Sequence, residues 1–162
     1  GDTFAAFAAV GGNMYTELGQ LCQRSDPTAI LIMNGTADFS IPYNGVLVPN
    51  SDPTADPIRI SYGPQDTVAA LARRNGCGTR GTTTTFAERG DSPGTSVVRF
   101  EALGCEPGAD VVLYVINGGG HTWPGHQRLS PELGLTNMDM DAGEVIWDFF
   151  AQHTLTPQTG RH

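Results

Sequence analysis

Two stretches of the chain place an acid and an imidazole where such groups do chemistry. Asp38 ends the run Asn34-Gly35-Thr36-Ala37-Asp38, and His121 follows three glycines in the run from Asn117 to Gly125, NGGGHTWPG. Both lie just past apolar runs that read as buried strands. Loops at the carboxyl ends of strands are where α/β sheets gather ligands and reacting groups. In that chain order the two residue types are the last two members of a Ser…Asp…His triad. The histidine would take a proton from a nucleophile and later return it, while the aspartate fixes its tautomer and stabilises the imidazolium. Gly118 to Gly120 would let the backbone turn tightly and carry the imidazole inward without a side-chain clash. Taken singly, a histidine in a glycine-rich loop is commonly a surface residue, and an aspartate after a strand is commonly a turn former. Their order and shared placement favour the catalytic reading.

The obvious nucleophile fails. Gly90-Asp91-Ser92-Pro93-Gly94 matches G-x-S-x-G, but that motif needs a strand entering the serine and a helix leaving it. A β-branched run follows Ser92 instead. The next residue must also lend a backbone N–H to the oxyanion hole, and Pro93 has none. Asp-Ser-Pro-Gly is good turn chemistry, and Ser92 is read as a turn residue.

Weaker signals surround the pair. Trp123 and Pro124 could form an apolar wall for an acyl or aryl group, or simply pack their own loop. Tyr43, shortly after Asp38, is a lesser candidate for the same pocket. His121 and His126 lack the spacing of a helical metal pair and no cysteine joins them, so no metal is assigned. The run NMDMDAGE resembles a calcium loop but has Ala142 where glycine is required; acids at a helix start are the simpler account. Asn34-Gly-Thr is formally a glycosylation sequon, discounted for its place beside Asp38.

The elements that must position these residues indicate an α/β fold with a mainly parallel sheet. Phe4 to Gly12, Ala29 to Gly35 and Asp110 to Gly118 read as buried strands. Pro42 to Tyr62 reads as loop. Pro64 opens a helix through about Asn75, with Gly76 just past its end. The runs TTTTFAERG and TSVVRFEAL, joined by DSPG, read as a β-hairpin. Asp141, with Glu144 three residues on, starts a C-terminal helix whose apolar face is Val145, Ile146, Phe149 and Phe150. Residues 1–162 show no repeat or linker and are read as part of one domain.

Composition narrows the function classes. Seventeen acidic residues against nine basic ones, all arginine, give a net charge of −8. Without a basic cluster, such a chain is a poor partner for nucleic acid or an anionic membrane. No apolar run approaches the ~18 residues of a membrane span, and no signal peptide is expected from the opening residues. Of three cysteines, Cys77 and Cys105 flank the expected hairpin in turn-like contexts. A bridge across their 28-residue separation would contribute roughly 3–4 kcal/mol in the loop-entropy model. Three cysteines without CxxC spacing fit an oxidising compartment. Cys22 is left over, either as a buried thiol or with a partner on chain not present here.

At these residues a family resemblance emerges. FAAFAAVGG, ILIMNGTADFSIPYNG, VVLYVINGGGHTWPG and EVIWDFFAQH resemble the C-terminal half of the secreted esterase family of polyhydroxybutyrate depolymerases and feruloyl esterases, from Phe4 to about His153. The resemblance implies the C-terminal half of an α/β-hydrolase fold with an inserted hairpin. It also implies Asp38 as triad acid, His121 as triad base, and Trp123 and Tyr43 beside the substrate. The Cys77–Cys105 pair fits the family too. The expected substrate is an ester, either a hydroxyalkanoate oligomer or a plant phenolic or acetyl ester, with no metal or organic cofactor. Secretion or a periplasmic location follows from the cysteines and the resemblance.

The family's serine lies on a strand and elbow before the first strand of this chain. The nucleophile-bearing half, or a second copy of the chain, is therefore the expected protein partner. The first strand should carry an unpaired edge. A different class of function is a non-catalytic carbohydrate- or polyester-binding module; a proteolytic fragment with no function of its own is a third reading.

Overall fold

The computed structural model describes residues 3–22, 26–90, 92–127 and 130–155. Seven strands and three helices run in the order β1 (Ala6–Val10), α1 (Thr16–Cys22), β2 (Ala29–Gly35), β3 (Gly45–Val48), β4 (Ile58–Tyr62), α2 (Pro64–Arg74), β5 (Gly81–Thr85), β6 (Ser96–Ala102), β7 (Val111–Asn117) and α3 (Ala142–Ala151). Five strands form one sheet in the order β1-β2-β7-β6-β5, and β3 pairs with β4 in a separate two-stranded sheet. The fold is α/β. β1, β2 and β7 run parallel, while β6 and β5 form an antiparallel wing, so the large sheet is mixed.

The central strands are the most apolar. Ala29, Leu31, Ile32 and Met33 of β2, and Val111 to Leu113 of β7, are each at most 3% exposed, as continuous runs buried on both faces require. Alternation along each strand separates two cores. Leu31, Met33, Val112, Tyr114 and Ile116 meet Phe149 of α3 on one face. Ile32, Val111 and Leu113 meet Val68 and Leu71 of α2 on the other. Asp141 caps α3 by accepting from the Gly143 and Glu144 amides at 2.7 and 3.1 Å, a side-chain acceptor for donors the first turn leaves unmatched. Pro64 opens α2, as expected. Cys77 and Cys105 are joined by a disulfide, which ties the end of α2 to the turn after β6.

Several expectations need correction. The segment 42–62 contains the antiparallel pair β3–β4; Asp52, Pro53, Asp56 and Pro57 hide the short apolar-polar alternation of Ile58 to Tyr62. Helix α1 was not foreseen: it is seven residues long and buries only Gly19, too little for an apolar stripe to register. β1, read as a buried strand, has the unpaired edge expected of it. Among the described residues it pairs with β2 alone, and its Phe7 is 46% exposed. Phe150 is more than a third exposed; the inward stripe of α3 is Ala142, Val145, Ile146 and Phe149. The β5–β6 connection is also longer than the DSPG turn, because β5 ends at Thr85 and β6 begins at Ser96.

Candidate active site

β2 and β7 are hydrogen-bonded neighbours running in the same direction, with Gly35 opposite Ile116. The loops that follow them therefore emerge side by side. Three contacts hold the loops together: the Thr36 amide donates to Ile116 O, the Ala37 amide to Gly119 O, and the Gly118 amide to Thr36 Oγ1, at 2.9 to 3.0 Å. This approach needs glycine, because a Cβ on Gly35 would run into the Gly119 carbonyl.

Asp38 and His121 meet across this seam. His121 Nδ1 lies 2.8 Å from Asp38 Oδ2. The other carboxylate oxygen accepts from the Ser40 and Ile41 amides at 2.9 and 2.8 Å, so the acid is fixed at both ends. Its side chain is fully buried, while that of His121 is 38% exposed. An ionised carboxylate can only accept, so the hydrogen between the two residues sits on Nδ1 and Nε2 keeps its lone pair. Such a histidine can accept a proton at Nε2. Its backbone is held as well, with the His121 amide donating to Leu133 O at 2.7 Å.

His121 borders a cavity of about 490 Å³ whose other walls include Val10, Gly11, Trp123, His126 and Thr136. Gly11, in a left-handed conformation at φ 63°, lies beneath the imidazole; a Cβ there would come within 3.1 Å of His121 Nδ1 and Cε1. Trp123 lines the cavity. Tyr43 does not line it. Its hydroxyl is buried without a hydrogen bond, and burial pushes its pKa up, so it stays a neutral phenol.

Ser92 does not line this cavity either. It is 6% exposed, and its Oγ accepts from the Met138 amide at 2.6 Å, which is structural work within a turn. The acids of NMDMDAGE are likewise employed locally: Asp139 accepts from the Arg89 amide and from Asn137 Nδ2, and Asp141 caps α3. Among the described residues no three His, Cys, Asp or Glu side chains cluster as a metal site. Asn34 of the sequon is 1% exposed; its amide donates toward Gly12 O at 3.3 Å, tying the loop after β1 to β2.

Gly11, Asn34, His126 and Thr136 were not singled out from sequence as parts of this site. The glycine pair Gly11-Gly12 after an apolar strand was the available signal for the first. Thr136 is a long-range neighbour with no local pattern to mark it.

No family model matches the chain. A protein of Nocardia uniformis subsp. tsuyamanensis, described as "Putative esterase NocK", is 30% identical over 154 residues, which is 91% of this chain and 44% of that protein. The chain therefore spans less than half the length of this relative, and over nearly its whole extent it is similar to part of a protein described as an esterase.

Proposed function

We propose that the chain is part of a carboxylic-ester hydrolase, to which it contributes the acid and base of a serine triad, Asp38 and His121. The observation that carries this reading is the 2.8 Å contact between a fully buried carboxylate and a partly exposed imidazole. The imidazole borders a cavity that also contains Trp123. In the reaction, His121 Nε2 takes the proton of a serine hydroxyl as its oxygen attacks the ester carbonyl. The protonated ring then returns that proton to the departing alkoxide. Water, deprotonated by the same nitrogen, attacks the acyl-enzyme, and the regenerated serine takes the proton back. Asp38 holds the ring in register and stabilises the imidazolium throughout.

The serine belongs to a segment outside these 162 residues, on a strand whose place is the open edge of β1. Three features support this. The edge is unpaired in the sheet order, and Phe4, Phe7, Leu18 and Leu21 are each about half exposed or more on that flank. Among the described residues, no serine or cysteine lines the cavity at His121. The third is Gly11, directly after β1, which touches the His121 ring.

Substrates of the complete protein are short hydroxyalkanoate esters or feruloyl and acetyl esters, with Trp123 packing against the acyl or aryl group. The chemistry calls for no metal or organic cofactor, and the disulfide suits an oxidising, secreted setting. The test is hydrolysis of p-nitrophenyl butyrate by the 162-residue chain and by its longest encoded form. The chain alone is expected to be inactive and the longer form active. Activity of the chain alone, abolished by His121→Ala, would place the nucleophile within it and overturn this division of the triad.

A further inference from the structure

A single helix covers the middle of the sheet face opposite α3. α2 packs on β2 and β7, and its eleven residues leave the wing of β5 and β6 with no helix above it among the described residues. Between α2 and the wing lies a groove of about 590 Å³, floored by Val98, Phe100, Leu113 and Val115 and walled by Val68 and Ala72. The floor is a consequence of register. Thr83, Phe100 and Leu113 stand opposite one another across three strands, with Thr85, Val98 and Val115 in the next row on the same face. This volume falls within the range of small-molecule sites, which combine apolar walls with a few placed polar groups.

The charge at the groove is the second observation. The chain carries seventeen acids and nine arginines, yet no acid lines this groove, while Arg73 and Arg80 both do. Arg59 and Arg99 each pair with a carboxylate, Asp66 and Glu101, and Arg74 donates to Asn75 Oδ1 and Thr28 O. Arg73 and Arg80 form no ion pair with the described residues. Two guanidinium groups left uncompensated beside an apolar floor, in a chain of net charge −8, complement a ligand with an anionic head and an apolar tail.

We propose that this groove binds an amphipathic carboxylate, an alkanoate of about eight to ten carbons. Its chain lies along Val98, Phe100, Leu113 and Val115, and its carboxylate lies between Arg73 and Arg80. The groove shares no lining residue with the cavity at His121, so the proposal stands independently of the hydrolase reading.

The experiment is a titration of the 162-residue chain with decanoate, followed by amide NMR shifts, with 1-decanol as the uncharged control. Decanoate is expected to saturate shifts at Thr83, Phe100 and Leu113, with affinity falling about fourfold per methylene removed. Arg73→Gln with Arg80→Gln should weaken decanoate roughly tenfold and leave decanol unchanged. Both substitutions lie on exposed side chains, so the dispersed spectrum of the folded chain should persist. Ala72→Trp should fill the groove and remove both ligands, whereas His121→Ala should remove neither.

Equal decanoate affinity in the chain and the double arginine variant would overturn the assignment. So would shifts confined to Phe7 and Ile30 on the opposite flank. Shifts at the groove that track protein concentration without ligand would identify a second copy as its occupant instead. No saturable shift up to about 5 mM decanoate in a well-dispersed spectrum would dismiss the site.

Discussion

Among the described residues there are two aspartate–histidine pairs, near opposite ends of β7, and they are built in opposite senses. Past its carboxyl end, Asp38 is fully buried and His121 is 38% exposed, in a 2.8 Å contact. Before its amino end the burial is reversed: His153 is 3% exposed in its side chain, Asp110 is 49% exposed, and the two are 3.5 Å apart. Neither ring nitrogen of His153 makes a hydrogen bond, so the contact is at most a loose charge contact. The ring instead packs on Phe149 at 4.5 Å between centroids. The partner that is dry decides the role. A buried carboxylate with fixed donors can orient an imidazole that still reaches a substrate. A buried imidazole with an exposed acid is an aromatic wedge under the last helix.

Five variants probe that contrast. The largest effect is expected at the first pair: in the longest encoded form, His121→Ala should lower ester hydrolysis by about 10⁴- to 10⁶-fold and Asp38→Asn by about 10⁴-fold, read as kcat/KM. Urea unfolding should show a loss of about 1–3 kcal/mol for His121→Ala, because the fully buried Asp38 Oδ2 loses its partner. Next, replacing Cys77 and Cys105 with serine should cost roughly 3–4 kcal/mol of stability without changing turnover per folded molecule. His153→Ala should cost about 2–3 kcal/mol through the cavity left beside Phe149, again with turnover retained. If that variant loses turnover while fully folded, the second pair has a role beyond packing. Ser92→Ala is the smallest. Losing the acceptor for the Met138 amide should cost about 1–2 kcal/mol, and unchanged hydrolysis would separate the turn serine from the nucleophile.

What sequence could reveal follows the same physics. β2, β7 and α2 were legible because they are covered on their apolar faces, so their burial is written as continuous or periodic apolar residues. Asp38 and His121 were legible because each sits a few residues past such a strand. The β3–β4 pair and α1 were not, since they bury little: Gly19 is the one buried residue of α1 and Ser61 the one of β3 and β4. β1 reads as buried in sequence because its residues are apolar; its exposed edge is a property of its neighbours that no local pattern encodes, and it is expected only from the family resemblance. Tyr43 shows the limit of reading by proximity: five residues after Asp38, it turns its hydroxyl into a buried, unpartnered position rather than toward the cavity at His121. The arginine-rimmed groove was equally invisible, because it joins α2 to β5, β6 and β7 through register.

The most direct test of the central claim is hydrolysis of p-nitrophenyl butyrate by the longest encoded form, with His121→Ala and His153→Ala assayed side by side at matched folded concentration. The account predicts loss of essentially all activity in the first and retention in the second. Activity that survives His121→Ala would contradict it.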